Sequence, residues 1–171
     1  MLSHGDLHPG SVMASSSKVK VIDPEFTVYG PCGLDVGSLL SGFLLAALHH
    51  AYFPTTTDED KAKARAAVVS LRNSASAVWE AYAAAMREGE VSEADVRAAG
   101  AESVGFAVAE ACRTALGFAG GRKWLQFEDA VAKAAAEKAT LALVRRCMVA
   151  RHAGGMALLL SEIDALANGM A

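Results

Sequence analysis

After residue 35 the apolar positions of this chain fall at three- and four-residue steps, the period of a helix that buries one face. The plainest case is Val68, Leu71, Ala75, Val78, Tyr82 and Met86, a stripe that predicts an amphipathic helix ending near Gly89 and capped by Thr57 or Asp58. Ahead of it, Asp35 stands where an N-cap belongs, before the apolar run Val36 to Leu48, and Pro54-Thr55-Thr56-Thr57 ends the helix so predicted. Ser92-Glu93-Ala94-Asp95 has the form of a capping box with Asp in the acidic place. It starts a helix through Val96, Val104, Val108, Cys112 and Leu116 that Gly117 and Gly120-Gly121 loosen at its end. Val131, Ala135, Leu141, Val144 and Met148 predict a further helix from about Glu128 to Ala150, where Arg145-Arg146 suit the C-terminal end of the dipole. Gly154-Gly155 divides it from a last helix carrying Met156, Leu159, Leu160, Ile163 and Leu166.

The start of the chain is patterned differently. Val12-Met13, Ser15-Ser16-Ser17 and Val19-Lys20-Val21-Ile22 read as strand, turn and strand. A turn centred on Ser17 sets Val12 opposite Ile22 and Ser11 opposite Asp23, with opposed Cα atoms roughly 4.5–5.5 Å apart. Tyr29-Gly30-Pro31-Cys32-Gly33 is a turn cluster. The pattern as a whole predicts a mainly α chain of one domain, 1–171, with a loop and hairpin over 1–37 and a helical bundle over 38–171.

Composition narrows the function classes. Of the 171 residues, 53% are hydrophobic and only 6% aromatic, which favours packed helices over a sandwich or barrel. A formal charge of −3 provides no basic footprint, so neither nucleic acid nor a membrane is an expected partner. Cys32, Cys112 and Cys147 lack metal-site spacing and predict reduced thiols of a cytoplasmic protein. No signal peptide is read at the start, and Phe43 to Leu48 runs into His49-His50 far short of the ~20 residues of a membrane span.

The candidate chemistry crowds into the first 25 residues: His4, Asp6, His8, Asp23 and Glu25. In an extended segment Asp23 and Glu25, two residues apart around Pro24, share a face and can reach one hard cation. Mg²⁺ suits such a pair, because it takes a few carboxylate oxygens and fills its shell with phosphate and water. Asp6, in a loop rich in Gly and Pro, is then placed to orient a substrate hydroxyl or accept its proton. Read alone, His4-x-Asp6-x-His8 also suggests a metallohydrolase site. The two histidines read first as groups that fix the loop, and Asp35 as a cap that anchors it.

These residues carry a family resemblance. His4-Gly5-Asp6 resembles the H-x-D catalytic loop of the protein-kinase-like superfamily, with Ser11 at the place of the loop's Asn. His4-Gly5-Asp6-Leu7-His8-Pro9-Gly10 is typical of its aminoglycoside phosphotransferase and choline kinase branch. Asp23-Pro24-Glu25-Phe26 and Tyr29-Gly30-Pro31-Cys32-Gly33-Leu34-Asp35-Val36-Gly37 add a closer similarity to methylthioribose kinase. The resemblance implies the helical C-lobe of a kinase-like α+β fold, with ATP phosphorylating the 1-hydroxyl of methylthioribose, or of a similar small sugar, in methionine salvage. By the same resemblance Asp6 is the catalytic carboxylate, Asp23 and Glu25 hold Mg²⁺, Ser11 is a cofactor contact, and His4 and Asp35 support the loop. Arg113, in Ala111-Cys112-Arg113-Thr114, matches one of the family's two substrate-side arginines, while Thr114 replaces the other.

The family's Gly-rich loop and phosphate-binding lysine belong to an N-lobe that this sequence does not show. The expectation is therefore a C-lobe that is inactive alone and works with an N-lobe from a longer or separate chain. A non-catalytic binding module is the alternative, and a homodimer stays open as its assembly.

Overall fold

Two short antiparallel ribbons precede four helices in the computed structural model, which describes residues 1–118, 125 and 127–170. The first ribbon pairs β1 (Leu2–Ser3) with β4 (Val28–Tyr29), and the second pairs β2 (Val12–Ala14) with β3 (Val19–Val21). The hairpin is where the sequence places it, but its register is one residue shorter than expected. Val12 faces Val21, and Ile22 donates its amide to the Ser11 carbonyl at 2.9 Å, so Ser11 lies opposite Ile22 and not Asp23. The reason lies in the turn: Ser15 and Lys18 close it through backbone at 2.8 Å, leaving two residues in the loop where a centre on Ser17 requires three. The Ser15 hydroxyl accepts from the Lys18 amide at 3.1 Å and fixes that choice.

The segment Asp23-Pro24-Glu25 is not extended. Asp23 takes left-handed angles (φ 60°, ψ 55°) and Pro24–Phe26 form a single 3-10 turn. Proline is as much at home at the first position of a helical turn as in a strand, because its fixed φ suits both. The shared-face argument for the two carboxylates therefore fails here, although both remain exposed at the end of β3.

α1 (Leu34–Tyr52) is the centre of the helical body and touches α2 (Asp58–Glu88), α3 (Glu93–Ala115) and α4 (Ala130–Asn168). Leu40, Leu44, Leu45 and Leu48 of α1 are shut off from solvent against Val68, Val104, Val108, Leu143, Leu159 and Ile163. By length and composition α1 could cross a membrane, but half of it is buried among the other helices. The caps follow the sequence. The Thr57 hydroxyl accepts from the Asp60 amide at 3.0 Å, and Ser92 accepts from Asp95 at 3.2 Å. Gly117, at φ +79°, ends α3 with Phe118 donating to the Arg113 carbonyl and Gly117 to that of Thr114, a Schellman closure. Gly120-Gly121, expected to loosen the same end, lie outside the described residues.

Two apolar stripes are corrected. Leu116 lies past α3 and is exposed, because the chain turns away there. On α4 the buried face is Ala136, Thr140, Leu143, Val144 and Cys147, so of the expected stripe Val144 is buried and Leu141 packs at the core's edge, while Val131, Ala135 and Met148 face solvent. Thr140 enters the core because its hydroxyl donates back to the Ala136 carbonyl at 2.7 Å. Gly155 (φ 52°, ψ −145°) breaks α4 sharply enough that Arg146 and Glu162 meet as a two-bond fork at 2.7 and 2.6 Å. In a straight helix they would stand roughly 24 Å apart.

Candidate functional site

The His4-Gly5-Asp6 loop is held from three sides, mostly through backbone. From below, the Asp35 carboxylate accepts the His4 amide at 2.6 Å and the Gly5 amide at 2.9 Å, one oxygen to each. Asp35 is therefore not the N-cap, a place taken by Gly33, but a first-turn residue of α1 turned toward the loop. Two successive N–H groups make a small anion nest, which Gly5 permits by adopting φ +87°.

Beside the loop lies the 3-10 turn. A Cβ on Gly5 would strike the Phe26 carbonyl, so the glycine is what lets the two backbones touch. The His4 ring adds a tie: its Nδ1 accepts from the Asp6 amide at 3.4 Å, which puts the proton on Nε2, and Nε2 donates to the Ile22 carbonyl at 2.8 Å. His4 thus links the loop to the residue just before Asp23.

Within the loop, Ser11 is the brace. Its hydroxyl donates to the Asp6 carbonyl at 3.1 Å and accepts from the His8 amide at 3.3 Å, and the residue is 2% exposed. The hydroxyl expected to touch a cofactor is engaged by the loop's own backbone. His8 Nδ1 accepts from the Gly10 amide at 3.0 Å, so its proton also sits on Nε2, 3.8 Å from the Asp6 carboxylate. Pro9 packs on α1 at Gly42, where a Cβ would collide with the ring.

Asp6 is left half-exposed, and the His8 ring is the one ion-pair partner that the described residues bring to its carboxylate. Asp23 makes no cap bond with its side chain, and Glu25 stands exposed in the first turn after it. These are hard oxygen donors not consumed by the fold, the donor chemistry that Mg²⁺ takes when phosphate oxygens complete its shell. Among the described residues no group of three or more His, Cys, Asp or Glu side chains is gathered to hold a metal by itself. In the His4-x-Asp6-x-His8 pattern, His4 is engaged through both ring nitrogens and His8 through Nδ1 alone.

Arg113 lies in the last turn of α3, and its guanidinium pairs with Glu110 at 2.9 Å. Thr114 turns its hydroxyl to the Glu110 carbonyl at 2.9 Å.

Sequence reasoning missed three supports. The β1–β4 ribbon joins the residues just before the loop to those just after the 3-10 turn. The Glu102 carboxylate accepts from the Gly33 amide at 3.2 Å, and the Tyr82 hydroxyl donates to the Cys32 carbonyl at 2.7 Å; together they pin the start of α1. Burial first, and then the neighbouring Cys32, Asp35 and Glu102, raise the Tyr82 phenol above its ordinary range, which keeps it a donor. Gly37 and Gly42 were the available signal, since a glycine inside an apolar helix marks a close approach, here to Ser103 and to Pro9.

Comparison with known proteins places this stretch. The model of the phosphotransferase enzyme family matches residues 1–68. The methylthioribose kinase of Bacillus cereus (strain AH820) is 60% identical over 47 residues, which cover 28% of this chain and 12% of that protein. Those of Bacillus mycoides (strain KBAB4) and Bacillus thuringiensis (strain Al Hakam) are 57% identical over 47 residues with the same coverage. The aligned stretch is thus a small part of each relative. Residues 1–68 hold the loop, both ribbons, the 3-10 turn and all of α1, and over them the chain carries phosphotransferase-family sequence, with similarity to the methylthioribose kinases.

Proposed function

We propose that this chain is the C-terminal lobe of a small-molecule kinase of the methylthioribose kinase type, working in the cytoplasm. The observation that supports it most is the junction of the Asp6 loop with the Asp23–Phe26 turn, held by Gly5, His4 and Asp35. Asp6 orients the acceptor hydroxyl and takes its proton, with the His8 ring beside it. Asp23 and Glu25 would hold Mg²⁺, which supplies charge neutralisation on the phosphates of ATP. Ser11 positions Asp6 through the loop backbone, and the remaining lone pair of its hydroxyl is left for a cofactor contact.

ATP itself needs a second lobe, from a longer or separate chain. The apolar side chains left open on the ribbons, Leu2, Met13, Val19, Val21, Val28 and Tyr29 among them, suit such a cover, and Tyr29 is 83% exposed. Thr114 supports a second reading, a non-catalytic module, because its hydroxyl faces its own helix and cannot replace an arginine fork.

The test is ATP-dependent phosphorylation of methylthioribose by this chain and by a form extended upstream with a nucleotide-binding lobe. The extended form should be active, and Asp6→Asn should lower kcat by about 10²–10⁴-fold. Activity that survives Asp6→Asn would remove Asp6 from the mechanism. An inactive extended form that still binds ATP would favour the module.

A further inference from the structure

A cleft between α3 and α4, beside the segment that leads into α1, holds a cation and an anion that do not meet. Its volume is about 340 Å³, and Pro31, Glu102, Phe106, Met148 and Arg151 line it. Arg72, Arg87, Arg113 and Arg146 each pair with a carboxylate. Neither Arg145 nor Arg151 has such a pair among the described residues, and Arg151 is set apart by its burial. Its Nε is shielded from solvent without a hydrogen-bond partner, and no ion pair joins it to another described residue. The guanidinium lies across α3 at Gly105, where a Cβ would come within 2.7 Å of Nη1. The glycine leaves the guanidinium room to lie against the helix. Glu102, one helical turn before Gly105, spends one oxygen on the Gly33 amide and is out of ion-pair reach of Arg151.

We propose that this cleft binds a small zwitterion, an apolar α-amino acid, with its carboxylate on Arg151 and its ammonium on Glu102. The guanidinium presents a fork that matches a carboxylate. A plain anion is disfavoured by Glu102 and a plain cation by Arg151, whereas a zwitterion satisfies both. The walls of Pro31, Phe106 and Met148 suit an aliphatic side chain, and the volume lies in the range of small-ligand pockets. The proposal does not depend on the phosphotransferase reading.

Calorimetric titration of the chain with L-leucine tests it, beside 4-methylpentanoate, which lacks the amine, and 3-methylbutylamine, which lacks the carboxylate. Leucine should give saturable heat, and each half-ligand should bind at least about tenfold more weakly. Arg151→Gln should abolish binding while leaving thermal unfolding near that of the parent, since Arg151 makes no hydrogen bond to lose. Gly105→Ala should weaken binding by displacing the guanidinium. No heat with leucine, equal binding of 4-methylpentanoate, or full binding by a folded Arg151→Gln variant would each overturn the proposal.

Discussion

Replacing Asp35 with asparagine should loosen the Asp6 loop without disturbing the helices. Asp35 receives two amide hydrogen bonds, at 2.6 and 2.9 Å, from consecutive residues of the loop. A hydrogen bond to a charged group contributes about 1.5–3 kcal/mol net, and both groups here are only part-buried, so the lower end applies to each. Asparagine keeps one acceptor but turns an NH₂ toward the other amide, setting donor against donor. The expected loss is roughly 2–3 kcal/mol of local stability, which lowers the protection of the His4 and Gly5 amides by about 30–150-fold. Native-state hydrogen exchange reads this directly. Amides in the core of α1 and α3 should keep their protection, because Leu40, Leu44, Val104 and Val108 are packed independently of the loop. Unchanged exchange at residues 4–8 would refute the anchoring argument. An equal fall throughout the helices would refute the claim that the loop opens as a separate unit.

Three further outcomes follow from the geometry. Gly5→Ala puts a Cβ against the Phe26 carbonyl at φ +87°, a strain of about 1–3 kcal/mol before the clash is counted; amide chemical shifts of Phe26 and Thr27 should move while helical circular dichroism persists, and unmoved shifts would contradict the contact. Burial pushes the Cys147 thiol from 9.0 up to about 11, so a thiol reagent at mild pH should modify it only after unfolding. With its folded value raised, the Cys147 contribution is intact below pH 9.0 and is lost as pH climbs to about 11, a loss of roughly 2–3 kcal/mol that urea titrations across that window would detect and that a Cys147→Ala variant should reduce, leaving the part due to Tyr82. A double-mutant cycle on Arg146 and Glu162 should return a coupling of about 1 kcal/mol, since the fork is half-exposed on the arginine side; zero coupling would mean that Gly155 alone sets the bend.

The helices were legible because their ends carry chemistry: Thr57 and Ser92 cap where a hydroxyl is needed, and Gly117 supplies the left-handed residue that closes α3. The stripe of α2 is equally plain, whereas that of α4 is not, because alanines occupy both of its faces and leave the phase to Thr140 and Cys147, which look polar or neutral in sequence. The hairpin slipped by one residue since Ser15-Ser16-Ser17 contains no Gly or Asn to mark the turn centre. Two-residue strands have no period to read, so the β1–β4 ribbon, pairing residues 2 and 29, could not be found. The site residues themselves stood out as motifs, but their division of labour did not: whether Ser11 faces outward or braces Asp6 depends on burial, which no spacing reports.

That division of labour says where the loop's order comes from. Asp35 enters from α1, Pro9 rests on Gly42 of the same helix, and Ser11 and His4 tie the loop to its own backbone and to the carbonyl of Ile22. Each of these contacts is made within residues 1–42. Glu102 and Tyr82 reinforce the same base from α3 and α2, by pinning Cys32 and Gly33 at the start of α1. The backbone that carries Asp6 is thus positioned by groups that need neither nucleotide nor sugar, a loop already formed before substrate arrives. Asp23 and Glu25 are the opposite case. They stand exposed, with no side-chain cap bond on Asp23, so their geometry is open to whatever bridges them. In the proposed kinase the helical lobe therefore presets the acceptor side of the reaction, and the nucleotide with its Mg²⁺ completes the donor side. Order in residues 4–11 should accordingly be insensitive to added Mg²⁺ and ATP, while residues 23–26 gain protection only when a nucleotide-binding lobe is present.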